Sequence, residues 1–158
     1  MNRGLLASGG EKPRICLPYR GGTNEPEFDA DAAGMFWGLR QEHDVFDMAH
    51  AVMEGVAFML RKNCDAIAAK GTKPDHIIAT GGGAKSPVWC QLQADITGLP
   101  VLVPREKEAP CLRPAIVPPG PATPHADYAQ AAAHCVPLVT RYEPPPRPHL
   151  ATTYRRHP

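Results

Sequence analysis

The chain has 158 residues, and its 17 Lys and Arg against 16 Asp and Glu give a formal net charge of only +1 at pH 7. This length fits one modest domain or a piece of a larger one. The balanced charge argues against a nucleic-acid binder, and no apolar run reaches the ~18 residues that a membrane span needs. Proline is the unusual component: 13 of the 19 prolines lie from Pro104 onward.

Cysteine and histidine give no sign of a disulfide framework or a metal site. The five cysteines are widely scattered without a CxxC pair, and the seven histidines form no HxH or HExxH pair. The N-terminal residues also lack the apolar stretch of a signal peptide. These features favour reduced thiols and a cytoplasmic protein.

The first 44 residues predict little regular structure. Residues 1–14 are polar and Gly-rich, which is typical of a flexible N-terminus. Residues 15–19 form a short apolar run, and Pro18 within it favours an edge strand or an extended entry over a central strand. A second short apolar run follows at residues 35–39.

One long helix is predicted from Asp44 to Lys70, where no proline occurs. Asp44 stands where an N-cap is wanted, and Gly71 follows the expected end. Apolar residues recur at helical spacing at Val45, Met48, Val52, Val56, Met59 and Ile67. Because further apolar residues lie outside this stripe, we expect a core helix that is covered on more than one side.

A strand, a helix and a second strand follow. Residues 77–80 are β-branched enough for a short strand, and Ser86 followed by Pro87 is a strong helix start. That helix is predicted to end at Gly98. Residues 100–104 are apolar enough for a strand buried in a parallel sheet.

The glycine-rich turn between the first strand and this helix carries the chemical signal. Glycines let backbone N–H groups approach a ligand closely, and a helix N-terminus favours anions. A P-loop is excluded because Ala84 stands where that motif requires Gly. The dinucleotide-binding pattern G-x-G-x-x-G is incomplete, because Ser86 stands where its third glycine is required. Glu106 keeps that alternative open, since it lies near the end of the next strand, where an acid that binds the ribose would sit. A turn with a purely structural role is the other alternative, and Trp37 and Trp89 are expected to pack rather than to stack on a ligand.

Several of these segments together resemble the C-terminal half of the FGGY carbohydrate kinases, and xylulokinase-like members above all. The resemblance rests on LPY at residues 17–19, GMFWGL at residues 34–39, DMAHAVME at residues 47–54 and TGGGAKSPVW at residues 80–89. It spans about ninety residues and several independent motifs.

The resemblance implies an α/β fold: a partial actin/hexokinase-like (ribonuclease-H-type) ATPase domain. It would have a long core helix, a mainly parallel strand-helix-strand unit and a Pro-rich irregular C-terminal tail. Residues 1–14 would be a flexible N-terminus and residues 15–109 the partial kinase domain. Residues 110–158 would be a degraded or irregular part of that domain, because prolines interrupt its expected helices.

The resemblance also implies ATP with Mg²⁺ as cofactors and an adenosine loop at the triple glycine. The implied nucleotide-binding residues are Gly81, Gly82, Gly83, Ser86, Lys85 and Gly22. Ser86 would cap the helix beneath the nucleotide. Lys85 would reach a phosphate, with a solvated lysine as the alternative. No residue can be identified from the sequence as a ligand of Mg²⁺.

In the family, the sugar site and the catalytic base precede the matched region. We therefore expect the chain to supply the nucleotide-binding side of sugar phosphorylation and to be inactive alone. We nominate none of its residues as the catalytic base. A sugar substrate would need a sugar-binding domain or a partner chain, and an oligomer is compatible with the sequence. A non-catalytic remnant, a split-kinase subunit and, less favoured, a dinucleotide-binding module are the alternatives.

Overall fold

A computed structural model describes residues 14–19, 21–23, 28–105 and 138–145. In chain order the elements are β1 (Ile15–Leu17), β2 (Met35–Trp37), α1 (Val45–Ala69), β3 (Ile77–Ile78), a 3₁₀ turn (Gly82–Lys85), α2 (Pro87–Thr97), β4 (Val101–Pro104) and β5 (Leu138–Tyr142). The flexible N-terminus and most of the irregular C-terminal segment that the sequence predicts lie outside the described residues.

A three-stranded sheet in the order β3-β4-β5 forms one half of the core. β3 and β4 are parallel, as the sequence predicts for a strand-helix-strand unit, and β5 is antiparallel to β4. All four residues of β4, the central strand, are buried, and Val101 and Val103 pack with Cys90 and Ala94 of α2. Pro104 ends β4 at a register irregularity, a position that a residue without an N–H group tolerates. Strand β5 was not predicted.

Helix α1 begins and ends close to the predicted residues. The carboxylate of Asp44 accepts hydrogen bonds from the backbone N–H groups of Phe46 and Asp47, at 2.8 and 2.9 Å. The Asp47 side chain accepts in return from the Asp44 N–H at 3.1 Å, which completes a capping box. Gly71 has a φ of +94° directly after the last turn. Local signals therefore fix both ends of this helix.

Helix α1 is buried on two sides, as expected, but not along the predicted stripe. Its buried residues are Ala51, Gly55, Ala57 and Phe58, and the helix packs against both α2 and β1. The periodic stripe instead contains exposed side chains: Val45, Met48, Val52, Val56 and Ile67. The spacing predicted the helix correctly, whereas small residues between the stripe positions make its close contacts.

Strands β1 and β2 form a separate antiparallel pair, in which β1 packs against α1. Gly55 allows this approach, because a Cβ atom there would collide with the carbonyl oxygen of Cys16. Arg14 is buried beside the helix, where its Nε donates to the Asp47 carbonyl at 2.8 Å. Trp37 is 58% exposed, so the expectation that it packs is wrong.

Among the helices that the structure describes, none combines the length and the apolar character that crossing a bilayer requires.

Candidate functional site

The glycine turn, defined here as residues 81–86, connects β3 to α2. Gly81 starts it with a φ of +73°, a left-handed conformation that side chains other than Gly rarely adopt. Two backbone hydrogen bonds then close the 3₁₀ turn, from Ala84 N–H to the Gly81 carbonyl at 3.2 Å and from Ser86 N–H to the Gly83 carbonyl at 3.1 Å. The turn is therefore a defined, hydrogen-bonded structure.

Ser86 ends the turn and starts α2, as predicted. Its backbone is extended, and its Oγ accepts a hydrogen bond from the Trp89 N–H at 3.4 Å. Pro87 occupies the first helical position, where its missing N–H group costs nothing. The positive end of the α2 dipole consequently lies at the glycine turn.

The buried side of the turn is held by the core. Ala84 is 3% exposed and packs in a cluster with Cys90, Ala94, Val101 and Val103. The thiol of Cys90 also lies 3.9 Å from the Gly83 carbonyl oxygen, as donor to acceptor. The turn is thus fixed to both α2 and β4.

Strand β5 adds support that the sequence did not predict. Tyr142 packs against the cluster beneath the turn, and burial raises the pKa of its hydroxyl, with the Cys90 thiol as a smaller cause. Gln91 of α2 donates to the Glu143 carbonyl at 2.8 Å and to the Asp95 carboxylate at 2.7 Å. Three of the five residues at 138–142 are β-branched or aromatic (Val139, Thr140 and Tyr142), and this is the signal that could have indicated the strand.

The other side of the turn is open. A Cβ atom built on Gly81 or on Gly82 would meet no protein atom within 4 Å. Lys85, at the end of the 3₁₀ turn, is exposed. Gly83 differs from its neighbours, because a Cβ atom there would lie 3.0 Å from Nε1 of Trp89. Gly82 is exposed and Gly81 partly exposed, so the backbone of both residues is accessible to a ligand; Gly83 is also exposed to solvent, and only its Cβ side is occupied.

Gly22 belongs to a different part of the structure. It has a φ of +81°, and a Cβ atom there would lie 2.7 Å from the Asp29 carbonyl oxygen and 2.9 Å from Cα of Ala30. The neighbouring Thr23 N–H donates to that same carbonyl at 2.7 Å. The local loop explains why this residue is glycine, so a contact with a phosphate remains a prediction.

No metal centre can be built from the described residues. Within them, no group of three or more His, Cys, Asp or Glu side chains could hold a metal ion.

The sequence of residues 7–117 matches the C-terminal domain of the FGGY family of carbohydrate kinases. The chain belongs to that family. It is 40% identical over 87 residues to a xylulose kinase of Escherichia coli, which covers 55% of this chain and 18% of that protein. A gluconokinase of Bacillus licheniformis is 38% identical over 101 residues, 63% of this chain and 20% of that protein.

Solved structures agree with the α/β part of the predicted fold. The crystal structure of ligand-bound xylulose kinase from Lactobacillus acidophilus superimposes with a TM-score of 0.73 at 30% identity, over 99% of this chain and 32% of that one. The α/β fold is thus that of the FGGY sugar kinases, which are actin/hexokinase-like. The chain spans about a fifth of the length of the two curated relatives and about a third of this neighbour.

Proposed function

We propose that this chain forms the nucleotide side of an ATP-dependent, xylulokinase-like sugar kinase. The observation that carries the proposal is the glycine turn, which has an accessible backbone at Gly81 and Gly82 and the N-terminus of α2 behind it. Membership of the FGGY family supports ATP as the nucleotide.

The open turn fits a nucleotide physically. Glycine backbone without side chains lets a phosphate or a ribose come within hydrogen-bond distance of the chain, and the helix dipole favours a negative charge. Lys85 adds a positive side chain at the same turn. Ser86 contributes through the helix cap, since its Oγ already accepts from the Trp89 N–H.

Transfer of the γ-phosphoryl group to a sugar hydroxyl also requires a positioned acceptor and a base. We assign neither to this chain, and we expect Mg²⁺ to be bound mainly through the phosphates. Sugar and base would come from a sugar-binding domain or a partner chain. The sugar stays open because xylulose kinases and a gluconokinase are both relatives. A cytoplasmic location is part of the same proposal, supported by the scattered cysteines.

Titration of the 158-residue chain with ATP and, separately, with NAD tests the nucleotide assignment. We expect ATP with Mg²⁺ to raise the melting temperature in a concentration-dependent way, because a ligand that binds only the folded state stabilises it. NAD should have no such effect. A shift with NAD and none with ATP would favour the dinucleotide-binding alternative and contradict the proposal.

The substitution Gly82→Val tests whether the nucleotide binds at the glycine turn. Gly82 has no positive φ, and its Cβ would point into open space, so the variant should fold like the wild type by circular dichroism. The added side chain would occupy the space that we assign to the nucleotide, and ATP affinity should fall by at least about tenfold, equivalent to ~1.4 kcal/mol. Unchanged ATP affinity in a folded Gly82→Val variant would place the nucleotide elsewhere.

A coupled assay with ATP and xylulose separates the catalytic alternatives. We expect the 158-residue chain to show no turnover above background. Activity that appears on adding a separately produced sugar-binding portion of an FGGY kinase would favour a split-kinase subunit, whereas binding without activity in either case would favour a non-catalytic remnant. Turnover by the chain alone would contradict the assignment of the base to another segment.

A further inference from the structure

The three consecutive glycines of the turn have different surroundings. Gly81 needs its left-handed backbone, with a φ of +73°, and Gly82 faces open space. Gly83 instead lies against an indole, because a Cβ atom there would be 3.0 Å from Nε1 and 3.1 Å from Cδ1 of Trp89. Contacts of 3.0–3.1 Å are shorter than ordinary van der Waals contact, so a methyl group at this position would force either the turn or the ring to move.

Trp89 is held in place from its other side. It lies in the first turn of α2, where its N–H is bonded to Ser86. Its side chain packs with Met53 against the buried cluster formed by α1 and α2, which consists of Ala57, Phe58, Leu92 and Ile96. The indole therefore connects the contact between the two helices to the backbone of the glycine turn.

Cys90, which follows Trp89 in the chain, contacts Gly83 from the core side of the turn. Cys90 is fully buried, and its thiol lies 3.9 Å from the Gly83 carbonyl oxygen. Ala84, the next residue of the turn, is anchored in the core beside Cys90. Gly83, although exposed to solvent, thus has the edge of an indole on its Cβ side and the buried end of the turn next to it, while no protein atom lies on the Cβ side of Gly81 or Gly82.

We propose that Trp89 is a positioning residue for nucleotide binding: its indole edge sets the position of Gly83, and thereby of the Gly81–Gly82 backbone. This inference rests on the proposed function of the turn. It assigns the glycine at 83 to the fit against Trp89, and the glycine at 82 to the approach of the ligand. Trp89 acts through the turn and needs no contact of its own with the nucleotide.

A double-mutant cycle between positions 83 and 89 tests the coupling. Gly83→Ala should weaken ATP binding by about tenfold in the wild-type background, within the range observed for residues in contact. Combined with Trp89→Leu, which removes both Nε1 and Cδ1 of the indole, the same substitution should change ATP affinity less than about twofold, since the methyl group then has space. An equal effect of Gly83→Ala in both backgrounds would contradict the proposal.

Hydrogen exchange provides a measurement that does not depend on ATP. The N–H groups of Ala84 and Ser86 close the turn, so displacement of Gly83 should accelerate their exchange. We expect Gly83→Ala to raise both rates about tenfold, and to raise them much less in the presence of Trp89→Leu. Gly82→Ala is the matched control, because its methyl group meets no protein atom, and it should leave both rates unchanged.

These measurements separate the two proposals. If the wild type binds no ATP, the proposed function fails, while the exchange cycle still shows whether Trp89 positions the turn. If ATP binds but exchange and affinity show no coupling between positions 83 and 89, only the role of Trp89 fails. Should Trp89→Leu not fold, Trp89→Met also removes the indole Nε1 and Cδ1 while keeping a long apolar side chain against the core, so it must still reduce the effect of Gly83→Ala.

Discussion

Two regions of the molecule differ in how completely they bury their own apolar residues. The unit formed by β3, the glycine turn, α2 and β4 has a closed core, in which Cys90 and Val101 are fully buried. Along β1, β2 and helix α1, large apolar side chains remain exposed, including Trp37 at 58% and Val45 at 71%. Both regions have well-formed helices and strands, so they differ in how far other parts of the structure pack over their apolar side chains.

This contrast indicates which contacts hold the backbone of the candidate site in a fixed position. The glycine turn is part of the closed unit, and its position is set by the burial of its own Ala84 and by contacts with Cys90 and Trp89. Gly22, the other candidate, lies in the region with the larger exposed apolar surface. A rigid support keeps a binding backbone in place. We therefore give the turn at residues 81–86 more weight as a site than the loop around Gly22.

Matched truncation of two isoleucines tests this contrast with the largest expected effect. Ile96 of α2 is 0% exposed and Ile67 of α1 is 47% exposed. Ile96→Ala should lower the free energy of unfolding by about 2–5 kcal/mol, because it leaves a cavity. Ile67→Ala should change it by no more than about 0.5 kcal/mol, since little buried area is lost and Ala favours a helix.

Urea denaturation followed by circular dichroism provides both values, and an unchanged m-value would show that the unfolding transition is comparable. A loss above about 2 kcal/mol for Ile67→Ala would mean that the stripe on α1 is covered in solution, and the contrast between the two regions would disappear.

The sequence predicted those parts of the fold that depend on neighbours along the chain. Asp44, Ser86, Pro87 and Gly98 marked helix ends correctly because capping is a local interaction. The sequence did not predict which face of α1 is buried, because small residues such as Gly55 make close contacts that hydrophobic spacing does not reveal. Strand β5 was missed because its partner β4 lies more than thirty residues earlier in the chain.

For the candidate site, the sequence located the glycine turn and the cap at Ser86. It did not distinguish the three glycines, since each is compatible with a turn, a ligand or a neighbouring side chain. The left-handed φ of Gly81 and the distance from Gly83 to Trp89 separate these roles. The sequence had indicated a packing role for Trp89, and its contact with the α1–α2 cluster confirms that role.

The two helix caps provide a comparison with a smaller expected effect. Asp44 accepts two backbone hydrogen bonds at 2.8 and 2.9 Å, whereas Ser86 accepts one at 3.4 Å. Asp44→Ala should therefore lower the free energy of unfolding by about 1 kcal/mol, and Ser86→Ala by about half as much. Asp44→Asn, which keeps an accepting oxygen, should retain most of the stability. A larger loss for Ser86→Ala than for Asp44→Ala would show that the glycine turn depends on its cap more than the hydrogen-bond distances indicate.

Thiol alkylation compares the two regions without changing their stability. Cys90 lies fully buried under the glycine turn, while Cys64 on α1 is partly exposed. Burial, and secondarily the charge of Asp65, raises the pKa of the Cys64 thiol. A raised pKa leaves less thiolate at neutral pH, so iodoacetamide should modify Cys64 more slowly than a peptide thiol, with a rate that keeps rising above the ordinary thiol pKa.

Iodoacetamide can reach Cys90 only when the closed unit opens. The rate of Cys90 modification, measured by peptide mapping with mass spectrometry, should therefore be at least about ten times lower than that of Cys64. In concentrated urea both rates should become equal, which controls for intrinsic reactivity. Equal rates in the native protein would mean that the core beneath the turn opens as readily as the surface of α1, and a turn on such a core could not hold its backbone in one position for a nucleotide.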